Sequence, residues 1–315
     1  MIEIKENVNL AQYTTFNIGG EARYFTAVSG EEELREALEW ARAQRMLFCV
    51  LAGGSNVLFA DDGFDGLVIQ LVTPIEHRSK ASVLYGNKIV VPAGANLTDA
   101  IRVSAEAGLS GWENMCGIPG SVGGGVRGNA GAFGTEVKDV LSKVRAMNIQ
   151  TGEVRDFNNK ECEFAYRTSY FKVNPEWVVL TAVFNLKKDL GVQPLKKCDE
   201  IVAEREGRHL QDVQCAGSFF KNPICIEFPE VIKLFETDKG VECRGGKVPA
   251  GWLIERCGLK GTKVGGALCS EQQANYIINI GDATQKNVLE LRDIIVNKVR
   301  EKFGIELDEE VTIVR

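Results

Sequence analysis

Histidine is almost missing from this chain: His77 and His209 are the two copies in 315 residues. The nine cysteines (49, 116, 162, 198, 215, 225, 243, 257 and 269) form no C-x-x-C pair and no cluster with histidine. A zinc site therefore has little to draw on, and no metal is expected. An odd set of scattered cysteines reads as reduced, buried thiols, with Cys49 and Cys116 as packing groups. No stretch approaches the roughly 18 consecutive apolar residues of a membrane-crossing helix. Residues 1–20 lack the apolar centre of a secretory leader, so a cytoplasmic protein without membrane insertion is the expectation. Lysine and arginine make no long run and the net charge is −6, which argues against nucleic acid as the main partner. The phosphate-cradling pattern G-x-x-x-x-G-K-[ST] occurs nowhere, which removes a P-loop.

Glycine, by contrast, is concentrated. Of 33 glycines, eight lie between residues 117 and 134, in C-G-I-P-G-S-V-G-G-G-V-R-G-N-A-G-A-F-G. Glycine loses the most freedom on folding, so such density needs a reason. A flexible linker would be polar, whereas this stretch carries Ile118, Val122, Val126, Ala130 and Phe133. It reads as a buried, turning backbone whose N–H groups approach a negatively charged ligand. Residues 123–128 satisfy G-x-G-x-x-G, but no strand precedes them, and Asn148 stands where an acidic residue is required. The dinucleotide reading is therefore rejected. A second nest follows an apolar run at Gly53-Gly54-Ser55-Asn56, which offers backbone, hydroxyl and amide donors within four residues.

The remainder alternates helix and strand signals. Ser29 and Glu32 read as a capping box for a helix over 29–45, with Leu34, Ala37, Leu38 and Ala41 at helical spacing. Strands are expected at 47–51, 56–60 and 66–71, and a composition change at Thr73-Pro74 marks a boundary. Paired strands near 82–86 and 88–92 turn through Gly86-Asn87, and a helix spans 97–108. Strands 143–149, 153–157 and 177–186 read as an antiparallel meander, with the polar segment 165–172 between them. Helices follow at 194–209 and 248–257, then a loop over 258–266 and a strand over 275–280. A helix over 283–303 stops at Gly304, and a closing strand over 305–314 packs back on the body.

A-G-G-S-N-V-L (52–58), G-I-P-G-S-V-G-G (117–124) and N-A-G-A-F-G (129–134) resemble the UDP-N-acetylenolpyruvoylglucosamine reductases, which have a vanillyl-alcohol-oxidase or PCMH-type FAD-binding fold. The opening Y-T-T-F-N-I-G-G, then A-Y-R-T-S-Y-F-K, A-G-S-F-F-K-N-P, A-G-W-L-I-E, G-L-K-G and L-D-E-E-V occur in the family's order, so the resemblance covers the chain. The absence of a long insertion between Phe171 and Lys188 resembles the shorter, second type. The implied fold is α+β: FAD-binding subdomains at 1–73 and 74–205 (the PCMH-type region being about 21–188), a substrate-binding domain at 206–304 and the closing strand at 305–315.

The implied reaction is reduction of UDP-N-acetylglucosamine enolpyruvate to UDP-N-acetylmuramate for bacterial peptidoglycan, cell shape and cell division. NADPH reduces non-covalent FAD, and a hydride from flavin N5 reaches C3 of the vinyl group. By the resemblance Ser218 protonates C2, Arg167 steadies the intermediate and Glu310 polarises the enolate. Gly53, Gly54, Ser55, Asn56, Gly117, Ile118, Pro119, Ser121, Gly123, Gly124, Asn129 and Gly131 are the implied FAD-binding residues. Tyr166, Lys221, Asn222, Lys260 and Gln273 are the implied substrate-binding residues, with Gln272 a rival to Gln273. A monomer is expected.

Four positions depart from the family pattern: Glu309 replaces a usual proline, Thr168 a common aspartate, and Gly125 and Gly128 larger residues. Glu309 therefore competes with Glu310. Strand alternation puts Leu307, Glu309 and Val311 on one face and Glu310 on the other, which favours Glu310 if the first face is core. The rivals are an oxidase of the same fold, which would often tether flavin through histidine, and a nucleotide-binding regulator without catalysis. Neither histidine lies in a glycine segment, and a mere binder needs no Ser218, Arg167 and Glu310 together.

Overall fold

A computed structural model describes residues 1–73, 83–188, 191, 193–207 and 213–315. Pro74, His77 and His209 lie outside the described residues, as do the first residue of the 82–86 strand and the end of the 194–209 helix. The chain forms two compact units.

The first unit comprises Met1–Val8, Ala22–Gly54 and the described residues from Asp65 to 208. One of its sheets orders Lys5–Asn9, Glu21–Val28, Phe64–Leu71 and Leu47–Leu51, the last two parallel. The helix Glu31–Ala43 buries Leu34, Ala37, Leu38 and Ala41, the i, i+3, i+4, i+7 stripe read from the sequence. Its cap differs from the expected box. Gly30 is the N-cap, and the N–H and Oγ of Ser29 both donate to Glu33, at 2.7 and 3.0 Å, not to Glu32. Ser29 sits one residue outside the cap, so its partner lies one residue further along.

A second sheet orders Val154–Asn158, Leu141–Asn148, Trp177–Asn185, Lys88–Pro92 and Val83–Tyr85. It is antiparallel but not a meander: Leu141–Asn148 pairs with both Val154–Asn158 and Trp177–Asn185. Of these three strands the middle place goes to Leu141–Asn148, whose Val144, Ala146 and Met147 are fully buried, while the more polar Val154–Asn158 takes the edge of the sheet. The helices Leu97–Glu106 and Pro194–Gly207 add Ile101, Cys198 and Ile201 to the core around Trp112 and Phe184.

Inside the glycine segment lies a helix that the sequence reading did not assign, Val122–Gly128. Buried Ser121 caps it by accepting from the Gly124 N–H at 3.1 Å, and Val122 and Val126 form its buried stripe. It ends at Asn129, held in the left-handed region at φ 45°.

The second unit comprises Asn9–Glu21, Ser55–Phe64 and the described residues after 209. Its core gathers Phe16, Leu58, Phe219, Phe220, Leu253 and Ile254 around Val288, Leu291, Ile295 and Val299 of the helix Gln285–Phe303. Thr284 and Asn287 cap that helix reciprocally, and Gly304 (φ 69°) ends it. The loop expected over 258–266 holds a short strand, Lys263–Val264, which joins Ala267–Cys269 and Ile277–Asn279 in a three-stranded sheet. Only Thr312–Val314 of the expected closing strand is a strand, parallel to Val57–Phe59. No helix among the described residues is long and apolar enough to cross a membrane.

Candidate active site

In the first unit the two glycine nests meet. A β-carbon on Gly53 would lie 2.8 Å from Gly120 Cα and 3.0 Å from the Ser121 nitrogen, so only glycine permits this approach. The N–H groups of Gly53, Gly54, Gly120 and Ser121 have no protein acceptor among the described residues, and Gly54 and Ser121 are buried. Buried donors without protein partners are what a phosphate needs. The residues present thus fit the diphosphate of a dinucleotide cofactor.

Other expected FAD-binding residues are taken up by the fold. The Gly117 N–H donates to Thr98 Oγ1 at 2.9 Å, and the Gly117 carbonyl accepts from Arg205 Nε at 3.0 Å. The Gly123 N–H donates to the Ala93 carbonyl at 2.8 Å, and a β-carbon there would meet Ala93 Cβ at 2.8 Å. Fully buried Asn129 donates to Glu136 and the Ala165 carbonyl and accepts from the Lys138 N–H. Gly131 pairs with Glu136 so tightly that a β-carbon would lie 2.7 Å from the Thr135 carbonyl. Ile118 packs on the core and Pro119 is exposed. Ser55 and Asn56 belong to the second unit. There the Asn56 amide donates to the Glu310 carbonyl at 3.0 Å, and its own carbonyl accepts from Thr312.

The glycine segment also fixes Arg167. Ala165 and Thr168 exchange backbone hydrogen bonds across a turn that Asn129 grips at Ala165. Just beyond it, Ser169 Oγ donates to the Arg127 carbonyl at 2.7 Å. Arg167 sits in that turn at φ 55°, a left-handed backbone that costs a bulky residue about 1–2 kcal/mol. Such strain persists where the surroundings enforce it, commonly at functional sites. Its guanidinium lies 5.4 Å from the Tyr166 ring centroid and donates to the Gly131 carbonyl at 3.4 Å. Thr168, standing where an acidic residue was expected, is part of the turn.

The second unit contains a cavity of about 410 Å³ lined by Ser218, Asn222, Gln273, Asn275, Lys239, Trp252, Glu255 and neighbouring apolar groups. Three expected residues, Ser218, Asn222 and Gln273, therefore share one cavity. Gln273 owes its place to Gly251, where a β-carbon would lie 2.7 Å from its Oε1, whereas Gln272 is exposed. Asn222 Oδ1 accepts the Ala250 N–H at the start of the helix Ala250–Arg256. Lys260 is half-buried with its ammonium 3.2 Å from Glu255.

Residues 219–221 and 308–310 form a short antiparallel ladder: the Glu310 N–H donates to the Phe219 carbonyl and the Lys221 N–H to the Asp308 carbonyl, both at 2.8 Å. Ser218 and Glu310 are thereby brought to neighbouring chain segments. Leu307 and Val311 are buried, and Glu309 is ion-paired with Arg292 of the long helix. Sequence reasoning missed Asn275, Glu255, Lys239 and Trp252. For Asn275 a signal existed, an amide inside the apolar run A-N-Y-I-I, because a buried amide must find partners.

Two family models match the chain. Residues 22–158 match the family model described as an FAD binding domain, and residues 208–314 match the C-terminal domain of UDP-N-acetylenolpyruvoylglucosamine reductase. A reductase of that name from Carboxydothermus hydrogenoformans is 36% identical, covering 98% of this chain and 93% of its own. Another, from Solibacter usitatus, is 34% identical over 99% and 97%. The crystal structure of the Thermus caldophilus reductase is 32% identical with a TM-score of 0.74, covering 100% of this chain and 99% of its own.

Proposed function

The chain belongs to the UDP-N-acetylenolpyruvoylglucosamine reductase family, and on that premise we propose that it reduces UDP-N-acetylglucosamine enolpyruvate to UDP-N-acetylmuramate at the expense of NADPH. Once reduced by NADPH, FAD would supply the hydride for C3 of the vinyl group. Negative charge then develops at C2 and spreads into the adjoining carboxylate, so the site must supply cationic or donor groups there and one acid. We assign the acid to Ser218, whose hydroxyl gives its proton to C2. Arg167 holds the carboxylate, since its planar fork matches two oxygens where a lysine offers a point charge. Glu310 polarises the enolate. Tyr166, Lys221, Asn222, Lys260 and Gln273 bind the UDP-sugar, and Gly53, Gly54, Gly120 and Ser121 offer their N–H groups to the FAD diphosphate.

The observation that carries this reading is that Ser218 shares a cavity with Asn222 and Gln273 while its strand ladders onto that of Glu310. Both substrates are soluble metabolites, so we propose a cytoplasmic, monomeric enzyme serving peptidoglycan synthesis. The test is the stoichiometry of NADPH oxidation against a product two hydrogens heavier than the enolpyruvyl sugar. One-to-one conversion is expected, with Ser218→Ala slower by about 10²–10⁴-fold and flavin reduction intact. Absence of sugar-dependent NADPH oxidation, or full turnover by Ser218→Ala, sinks the proposal.

A further inference from the structure

Asn275 lines the same cavity as Ser218, yet its side chain is turned to the protein. Its Oδ1 accepts the Phe220 N–H at 3.0 Å, and its Nδ2 donates to the Phe220 carbonyl at 2.8 Å. Its own backbone carbonyl accepts the Phe219 N–H at 2.8 Å. The residue is 5% exposed, so these bonds form away from water and cannot be exchanged for bonds to it. Phe219–Phe220 is thus gripped on one side by Asn275 and on the other by the ladder to 308–310. Both rings are buried and meet edge to face with centroids 5.2 Å apart. Ser218 stands at the open end of this block, preceded by Gly217 at φ 74°. Upstream, Gln214 bridges to Asn279 and the Cys215 carbonyl accepts from Thr15 Oγ1 at 2.6 Å, but the left-handed Gly217 lies between that anchor and Ser218. The clamped Phe219–Phe220 pair, directly bonded to Ser218, sets its position.

We infer that Asn275 is the positioning residue of the proton-donating step: its two-point clamp on Phe220 holds Ser218 where its hydroxyl can reach C2. The inference rests on the role proposed for Ser218. A serine hydroxyl is a weak acid and acts only at short range in one orientation, so a small displacement is expensive. Aspartate in place of asparagine isolates the effect. Ionised, it accepts from the Phe220 N–H but sets a negative oxygen against the Phe220 carbonyl. Protonated, it donates to that carbonyl and closes the clamp again.

The experiment is single-turnover reoxidation of the dithionite-reduced holoenzyme by the enolpyruvyl UDP-sugar, wild type against Asn275→Asp, from pH 8 to pH 5.5. At pH 8 the variant should be about 100-fold slower, its half-saturating sugar concentration little changed. The deficit should shrink toward wild type as pH falls. Wild-type rates at pH 8, or a loss that acid does not relieve, overturn the inference. Failure of the wild type itself to reoxidise overturns the function proposal, and the inference with it. Should Asn275→Asp not fold, hydrogen exchange of the wild-type holoenzyme decides: slow Phe219 and Phe220 amides support the clamp, and loop-like exchange refutes it.

Discussion

At the scale of single residues, two adjacent glutamates stand in different surroundings, and the proposed chemistry assigns a role to the second alone. Glu309 is spoken for by Arg292, whereas Glu310 is half-buried with its N–H held by Phe219. Glu309→Gln should lower stability by about 1–2 kcal/mol, seen as a shifted denaturant midpoint, and leave turnover within about twofold. Glu310→Gln should do the reverse, with little stability change and turnover lower by about 100-fold or more. Equal effects on turnover would undo the assignment. The burial of Leu307 and Val311 was legible from period-two alternation, because both needed a core. Asn275 was not legible as a clamp, since its partners at Phe219 and Phe220 lie far away in sequence and only the folded backbone brings them within bonding distance.

At the scale of elements, the glycine segment separates close approach from habit. Gly53 has no room for a side chain, whereas at Gly128, the end of Val122–Gly128, a β-carbon would have nothing within 4 Å and the φ is not left-handed. Gly53→Ala should drive the two nests apart and release FAD, read as loss of yellow colour after gel filtration. Gly128→Ala should keep the flavin and raise stability by about 0.5–1 kcal/mol, because alanine has less freedom to lose on folding. FAD retained by Gly53→Ala would remove the nest from the account. Density of glycine announced a turning backbone, but the helix within it was hidden: Gly123, Gly124 and Gly125 carry poor helix propensity, and capping by Ser121 with burial of Val122 and Val126 overrides it. The strand order was hidden for a related reason, since hairpin signals name neighbours in sequence and not the strand that wins the centre.

At the scale of the whole molecule, charge helps tie a helix of the first unit to its five-stranded sheet. Glu31, on the helix Glu31–Ala43, accepts from Arg145 of the second sheet at 3.0 Å and from Arg35 at 3.2 Å. The Arg145 guanidinium holds its carboxyl below the ordinary value of 4.5, with Arg35 adding to the effect and burial opposing it. A lowered folded-state value means that the pair stabilises above pH 4.5 and that this is lost as pH falls through the lowered value. Glu31→Gln should therefore lose about 0.5 kcal/mol at pH 7, after discounting for solvent screening, and differ little from wild type near pH 3. Denaturant titrations at the two pH values check this, and a gap that widens in acid would contradict it.

The central claim joins these scales: a flavin held by glycine nests passes reducing power from NADPH to an enolpyruvyl UDP-sugar. It is tested most directly by anaerobic titration of the purified protein, following the yellow flavin band. NADPH should bleach the band, and the enolpyruvyl sugar should restore it promptly while UDP-N-acetylmuramate forms. A band that returns only when oxygen is admitted would contradict the account and point to an oxidase.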